Sequence, residues 1–188
     1  MAVKGHAKGG AFERKISKRL SLWVTGKPDD IIFWRTASSG GRATQSLKSG
    51  IKQDSQVGDI GTIHPDGVWF QKHFIIECKS YKNLELVAFL FKNGGILKGF
   101  WEKLHKESET YKRIPLLIGK QNFIPEFIMC TAELGHSLPV QPFLMTELYY
   151  FMWLEDFLKF PYKKFKTHIT ERNFLGTQYP SSFRPPFK

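Results

Sequence analysis

A chain of 188 residues with 41% hydrophobic and 24% charged side chains has room for one sizeable core and lies outside the compositional range of intrinsic disorder. No stretch approaches the roughly 18 apolar residues of a membrane span. The basic start lacks an apolar signal core, and two cysteines, Cys78 and Cys130, make neither a disulfide framework nor a zinc cluster. These features lead us to expect an intracellular protein of a reducing, cytoplasmic compartment with no membrane partner.

The formal charge is +11, which calls for a polyanionic partner such as nucleic acid. Residues 1–20 carry six bases and one acid, residues 159–188 seven bases and one acid, and the middle fifteen of each. Two basic ends thus flank a balanced centre.

Phe12, Ile16, Leu20 and Trp23 recur at spacings of four, four and three, which predicts an amphipathic helix over 11–24, stopped by Gly26-Lys27-Pro28. Ile31 to Arg35 reads as a short strand. From Thr36 to Gln53 the chain is Gly, Ser, Thr and Gln with Arg42, Lys48 and Lys52 and no acid, predicting a mobile basic loop over 36–53 that settles on a ligand.

Val57–Ile63 and Trp69–Lys79 look like strands, and His64-Pro65-Asp66-Gly67 between them is turn chemistry, so an antiparallel hairpin is expected. A polar helix follows over about 99–112, with Trp101, Leu104 and Tyr111 as core contacts, and then apolar strands at 114–119 and 127–130. Residues 146–160 predict an aromatic helix apolar on most sides, a candidate dimer interface, and 161–188 a basic tail. The order argues for an α/β (α+β) domain around one mixed sheet, with residues 1–160 as the domain.

The chemistry concentrates at Phe74-Ile75-Ile76-Glu77-Cys78-Lys79. Side chains alternate along a strand, so Glu77 and Lys79 share a face with Ile75. Alone, Glu-x-Lys also fits an edge strand turned to solvent. Asp59 changes the balance, because the hairpin brings it level with Glu77, given a bulge or a longer loop. Two carboxylates sharing a small site repel each other unless one is protonated or a hard cation lies between them. Asp59, Glu77 and the Cys78 carbonyl would hold Mg2+, with Lys79 stabilising developing charge or positioning the attacking water. This is a recipe for metal-assisted phosphodiester hydrolysis. Glu13, the sole acid of the first 28 residues, adds to the set, although taken alone a glutamate near a helix start is favoured by the helix dipole and needs no function. The six histidines lack zinc spacing with the cysteines, and no glycine pair is followed by the lysine of a phosphate loop, so no nucleotide cofactor is expected.

Four segments together carry a resemblance: Gly9-Gly10-Ala11-Phe12-Glu13-Arg14 opening a basic helix, Arg35-Thr36-Ala37-Ser38-Ser39-Gly40, Gly58-Asp59-Ile60 and Ile76-Glu77-Cys78-Lys79. In order and flanking they resemble the archaeal-type Holliday-junction resolvases of the PD-(D/E)XK nuclease superfamily, over roughly residues 9–130. The resemblance implies a restriction-endonuclease-like core, a central mixed sheet flanked by helices. It also implies Glu13, Asp59 and Glu77 as metal ligands, Lys79 as catalytic lysine, and Ser38 or Ser39 as a serine aiding cleavage. The partner it implies is a four-way DNA junction, nicked symmetrically by a homodimer with Mg2+, for which Mn2+ would substitute. Arg14, Lys15, Arg35, Arg42, Lys48, Lys52 and Lys82 are then candidate phosphate contacts. A phage or an archaeon suits such a chain as source. The chain departs from the pattern in the long segment 41–57 and in everything from 146 onward. A restriction-like or repair endonuclease of the same superfamily is the alternative, and a non-catalytic DNA-binding protein a further one.

Overall fold

The computed structural model describes residues 4–36 and 57–172. The first helix, α1 (Lys4–Thr25), buries Phe12, Ile16 and Leu20, the stripe that its spacing predicts. It begins earlier than expected, running through Gly9 and Gly10. Gly26 ends it at φ +71°, and the backbone N–H groups of Ile32 and Phe33 donate to Ser21 Oγ at 3.1 and 3.0 Å, folding the chain back along the helix.

Two short strands follow, β1 (Trp34–Arg35) and β2 (Ile60–Gly61), paired antiparallel with Arg35 opposite Ile60. The expected hairpin between 57–63 and 69–79 does not form. In its place stands a helix, α2 (Pro65–His73), leading directly into β3 (Phe74–Tyr81). His64 caps it, its Nδ1 accepting from Asp66 N at 3.3 Å, and Pro65 sits where a helix has no use for an N–H. His-Pro-Asp-Gly starts a helix as readily as it makes a turn, and the buried Phe70 draws this one into the core.

After β3 come α3 (Leu86–Lys92) and α4 (Ile96–Tyr111), then β4 (Ile114–Gln121) and β5 (Phe127–Thr131). The chain goes on through α5 (Ala132–Ser137), β6 (Leu144–Met145), β7 (Tyr149–Trp153), α6 (Leu154–Lys159) and α7 (Tyr162–Glu171). The five-stranded sheet has the order β3-β4-β5-β7-β6, with β3 and β4 parallel and the other pairs antiparallel. A parallel pair needs a crossover, which α3 and α4 supply. The result is the mixed sheet flanked by helices of a restriction-endonuclease-like core.

Alternate side chains of the strands feed two cores. Phe74, Ile76, Cys78, Ile128, Tyr150 and Met152 pack with α1 and α7 on one face. Ile75, Leu117, Met129 and Phe151 pack with Leu97, Trp101 and Leu104 of α4 on the other.

This burial on both faces explains the misreading of 146–160. An inner strand covered on two sides is apolar at every position, as is a helix buried all round, and the segment is β7 followed by the short α6. Phe151 and Met152 are fully buried inside the sheet, so these two aromatic-stretch residues have no free surface to offer a second copy. Likewise the first part of the expected tail is α7, whose Tyr162, Phe165 and Ile169 enter the core at spacings of three and four. Trp23 of α1 packs its ring 5.0 Å from Tyr162 and 5.2 Å from Phe165.

Candidate active site at the edge of the sheet

β3 is the edge strand of the five-stranded sheet, and the segment entering β2 leans against its open side. Asp59 N donates to Ile76 O at 2.7 Å, and Cys78 N donates to Asp59 Oδ2 at 2.8 Å. Gly58 permits this approach. Its φ is +78°, and a Cβ there would stand 2.7 Å from the Ile76 carbonyl oxygen. Thr36 holds the same segment from the other side, its N–H donating to Asp59 O at 3.0 Å and its hydroxyl to Gly58 O at 2.8 Å.

Asp59 and Glu77 therefore meet, as the sequence reading expects, although by a different route. Backbone contacts across the sheet edge replace the register of a hairpin. Both are buried, at 1% and 6% exposure. Lys79 lies between them: its ammonium hydrogen-bonds Glu77 Oε1 and stands 3.8 Å from Asp59 Oδ2. Burial, helped by the negative charge of Glu77, pushes the Asp59 carboxyl up to about 7, although Lys79 and the Cys78 N–H pull the other way. Burial alone would lower Lys79, but the carboxylates of Glu77 and Asp59 outweigh it and hold the ammonium above its ordinary value.

A hard divalent cation fits this donor set. Two buried carboxylates lie about one ammonium, and burial together with the Glu77 charge raises Asp59 despite Lys79. A strand residue's N–H and C=O point to the same side, so the Cys78 carbonyl faces the edge where its N–H meets Asp59. The Cys78 thiol points into the α1 core, and burial raises it well above a reactive value. Its contribution to a metal site would thus be the carbonyl.

Glu13 lies close enough for its charge to add to the rise of the Asp59 carboxyl. Its carboxylate is buried and bonded by Arg35 Nε at 2.5 Å. Among the described residues no group of three or more His, Cys, Asp or Glu side chains is arranged to hold a metal. The Glu13–Arg35 pair is still close, because Arg35 precedes the Thr36 that binds Asp59. A Cβ on Gly10 would lie 3.3 Å from the Arg35 guanidinium and 3.4 Å from Arg14 Nη1, so both arginines gather at this turn of α1.

Lys15 is bonded to Glu126 at 2.5 Å, and Lys82 is exposed just past β3. Ser38, Ser39, Arg42, Lys48 and Lys52 lie outside the described residues, as does the expected loop 36–53 apart from Thr36. The sequence reading missed Thr36 and Gly58 as supports of Asp59. Their only signal was adjacency to Arg35 and Asp59.

A buried Asp beside an edge strand and a Glu-x-Lys on that strand, on a mixed sheet flanked by helices, define a nuclease of the PD-(D/E)XK superfamily, a class that works with divalent metal ions on DNA. The chain belongs more narrowly to the family described as Phage putative PDDEXK endonuclease, whose model matches residues 4–174. No curated protein and no solved structure matches it. Among the described residues no helix is long and apolar enough to cross a membrane.

Proposed function

We propose that the chain is a Mg2+-dependent, structure-selective DNA endonuclease that resolves four-way junctions as a homodimer. The observation that carries the hydrolytic part is the convergence of Asp59 and Glu77 on Lys79 at the open edge of β3. The choice of junctions rests on the motif resemblance, and the basic ends suit phosphate contact.

Asp59, Glu77 and the Cys78 carbonyl would hold the ion, Mg2+ or in its place Mn2+. When bound, such an ion would supply Lewis-acid chemistry, polarising a phosphoryl oxygen and lowering the pKa of water so that hydroxide is available as nucleophile. The protein residues do the rest. The Cys78 N–H fixes the Asp59 carboxylate, and Lys79 sets a positive charge where the phosphate gains negative charge. Glu13 orients the Arg35 guanidinium, leaving its other N–H groups for a backbone phosphate. Ser38 or Ser39 and the bases Arg14, Arg42, Lys48, Lys52 and Lys82 remain phosphate contacts in this proposal.

The match to a phage endonuclease family favours a second reading equally, a restriction-like or repair nuclease acting on duplex DNA. A non-catalytic DNA-binding protein would have no need of Asp59, Glu77 and Lys79 together.

The test is cleavage of a synthetic four-way junction beside a matched linear duplex in Mg2+ or EDTA. Paired symmetric nicks in the junction alone, absent with EDTA, are expected. Equal cutting of the duplex would keep the nuclease and remove the resolvase. Tight binding without cutting in Mg2+ or Mn2+ would overturn both.

A further inference from the structure

We infer that Phe100 of α4 is the positioning residue of Lys79, holding the ammonium at the carboxylate edge through its ring face. The inference rests on the nuclease reading of Lys79. Lys79 shares its face of β3 with Ile75 and Glu77, the face that α4 covers. Its Nζ lies 5.2 Å from the centroid of the Phe100 ring, within the range of a cation–π contact. Tyr81, two residues further along the same strand face, packs its ring 5.3 Å from Phe100. Phe100 is thus wedged between two side chains of one strand, with its helix anchored below by Leu97, Trp101 and Leu104.

A lysine has four rotatable methylenes, and this one is one-fifth exposed, so solvent is open to it. Two kinds of contact restrain it. The salt bridges to Glu77 and Asp59 depend on charge that those carboxylates would share with a divalent ion. The ring contact depends on neither carboxylate, since it comes from α4. Phe100 therefore keeps the ammonium in place under the conditions in which Lys79 has to act. A leucine fills similar space but offers no π face, whereas tyrosine keeps it.

The experiment compares Phe100→Leu and Phe100→Tyr with wild type, each checked for folding by circular dichroism. On saturating DNA with Mg2+, Phe100→Leu should lower kcat about tenfold with KM unchanged within about twofold, and Phe100→Tyr should retain wild-type kcat. In a Lys79→Ala background, Phe100→Leu should have no further effect. A readout free of metal and DNA is the NMR signal of the Lys79 ε-methylene, shifted upfield by the ring in wild type and returned to the ordinary lysine position in Phe100→Leu. An active wild type with full kcat in Phe100→Leu, or with no upfield shift, would overturn the inference. Absence of cleavage by wild type on any DNA would overturn the nuclease reading, and the catalytic meaning of the contact with it, even with the shift present.

Discussion

Gly58 and Gly26 both sit at positive φ, +78° and +71°, yet their surroundings differ. Nothing lies within 4 Å of a Cβ built on Gly26, whereas one on Gly58 meets the Ile76 carbonyl oxygen at 2.7 Å. Gly26→Ala should cost only the left-handed conformation, about 1 kcal/mol. Gly58→Ala should cost about 2–3 kcal/mol and displace Asp59 from β3, so cleavage should fall with it. Urea unfolding of the two variants, with cleavage measured on each, checks this. Equal destabilisation with intact activity would show that Asp59 does not need the close approach. At this scale the sequence was informative about residue types. Asp59, Glu77 and Lys79 were legible as a set because two follow from strand alternation. The Glu13–Arg35 pair was not, since it joins a helix to a strand 22 positions away and no local period reports it.

Glu126 ties four elements together. Standing just before β5, it accepts from Lys15 at 2.5 Å and from Arg19 at 2.7 Å on α1, and lies 3.7 Å from Lys120 on β4, while Arg19 also bonds Glu155 of α6. Burial would raise its carboxyl, but the hydrogen bonds and charges of Lys15 and Arg19 hold it below the ordinary value of 4.5. The folded carboxyl is the more acidic, so the cluster contributes stability above about pH 4.5, and this is lost as pH falls through the folded value. Glu126→Gln should therefore destabilise by about 1–2 kcal/mol at pH 7, with the gap to wild type closing as the pH falls below 4.5 through the folded value. Thermal melts across this range measure it, and a gap independent of pH would refute the ion-pair account.

Elements were legible where one period ruled. The α1 stripe, the α4 core contacts, β4 and β5 followed from spacing or from short apolar runs. Two misreadings came from patterns with two physical solutions. His64-Pro65-Asp66-Gly67 suits a turn or a helix start, and the choice falls to Phe70, whose burial is a tertiary fact. The stretch Tyr149–Trp153 is apolar throughout because it lies inside the sheet, and composition does not distinguish that from a helix buried all round.

Over the whole molecule, folding brings together what the chain keeps apart. α7, which carries Lys163, Lys164 and Lys166, packs against α1 around Trp23, while the mixed sheet carries the carboxylates at one edge. The proposal assigns affinity for a polyanionic substrate to exposed basic side chains and hydrolysis to the buried acidic pair at the sheet edge. The central claim is that Asp59, Glu77 and Lys79 form a metal-dependent hydrolytic site. Single-turnover cleavage of labelled DNA across a Mg2+ titration, for wild type and for folded Glu77→Gln, tests it most directly. The account predicts saturable, Mg2+-dependent cleavage by wild type and a loss of at least about a thousandfold in the variant. Cleavage by Glu77→Gln at the wild-type rate, or cleavage by wild type undiminished in EDTA, would contradict it.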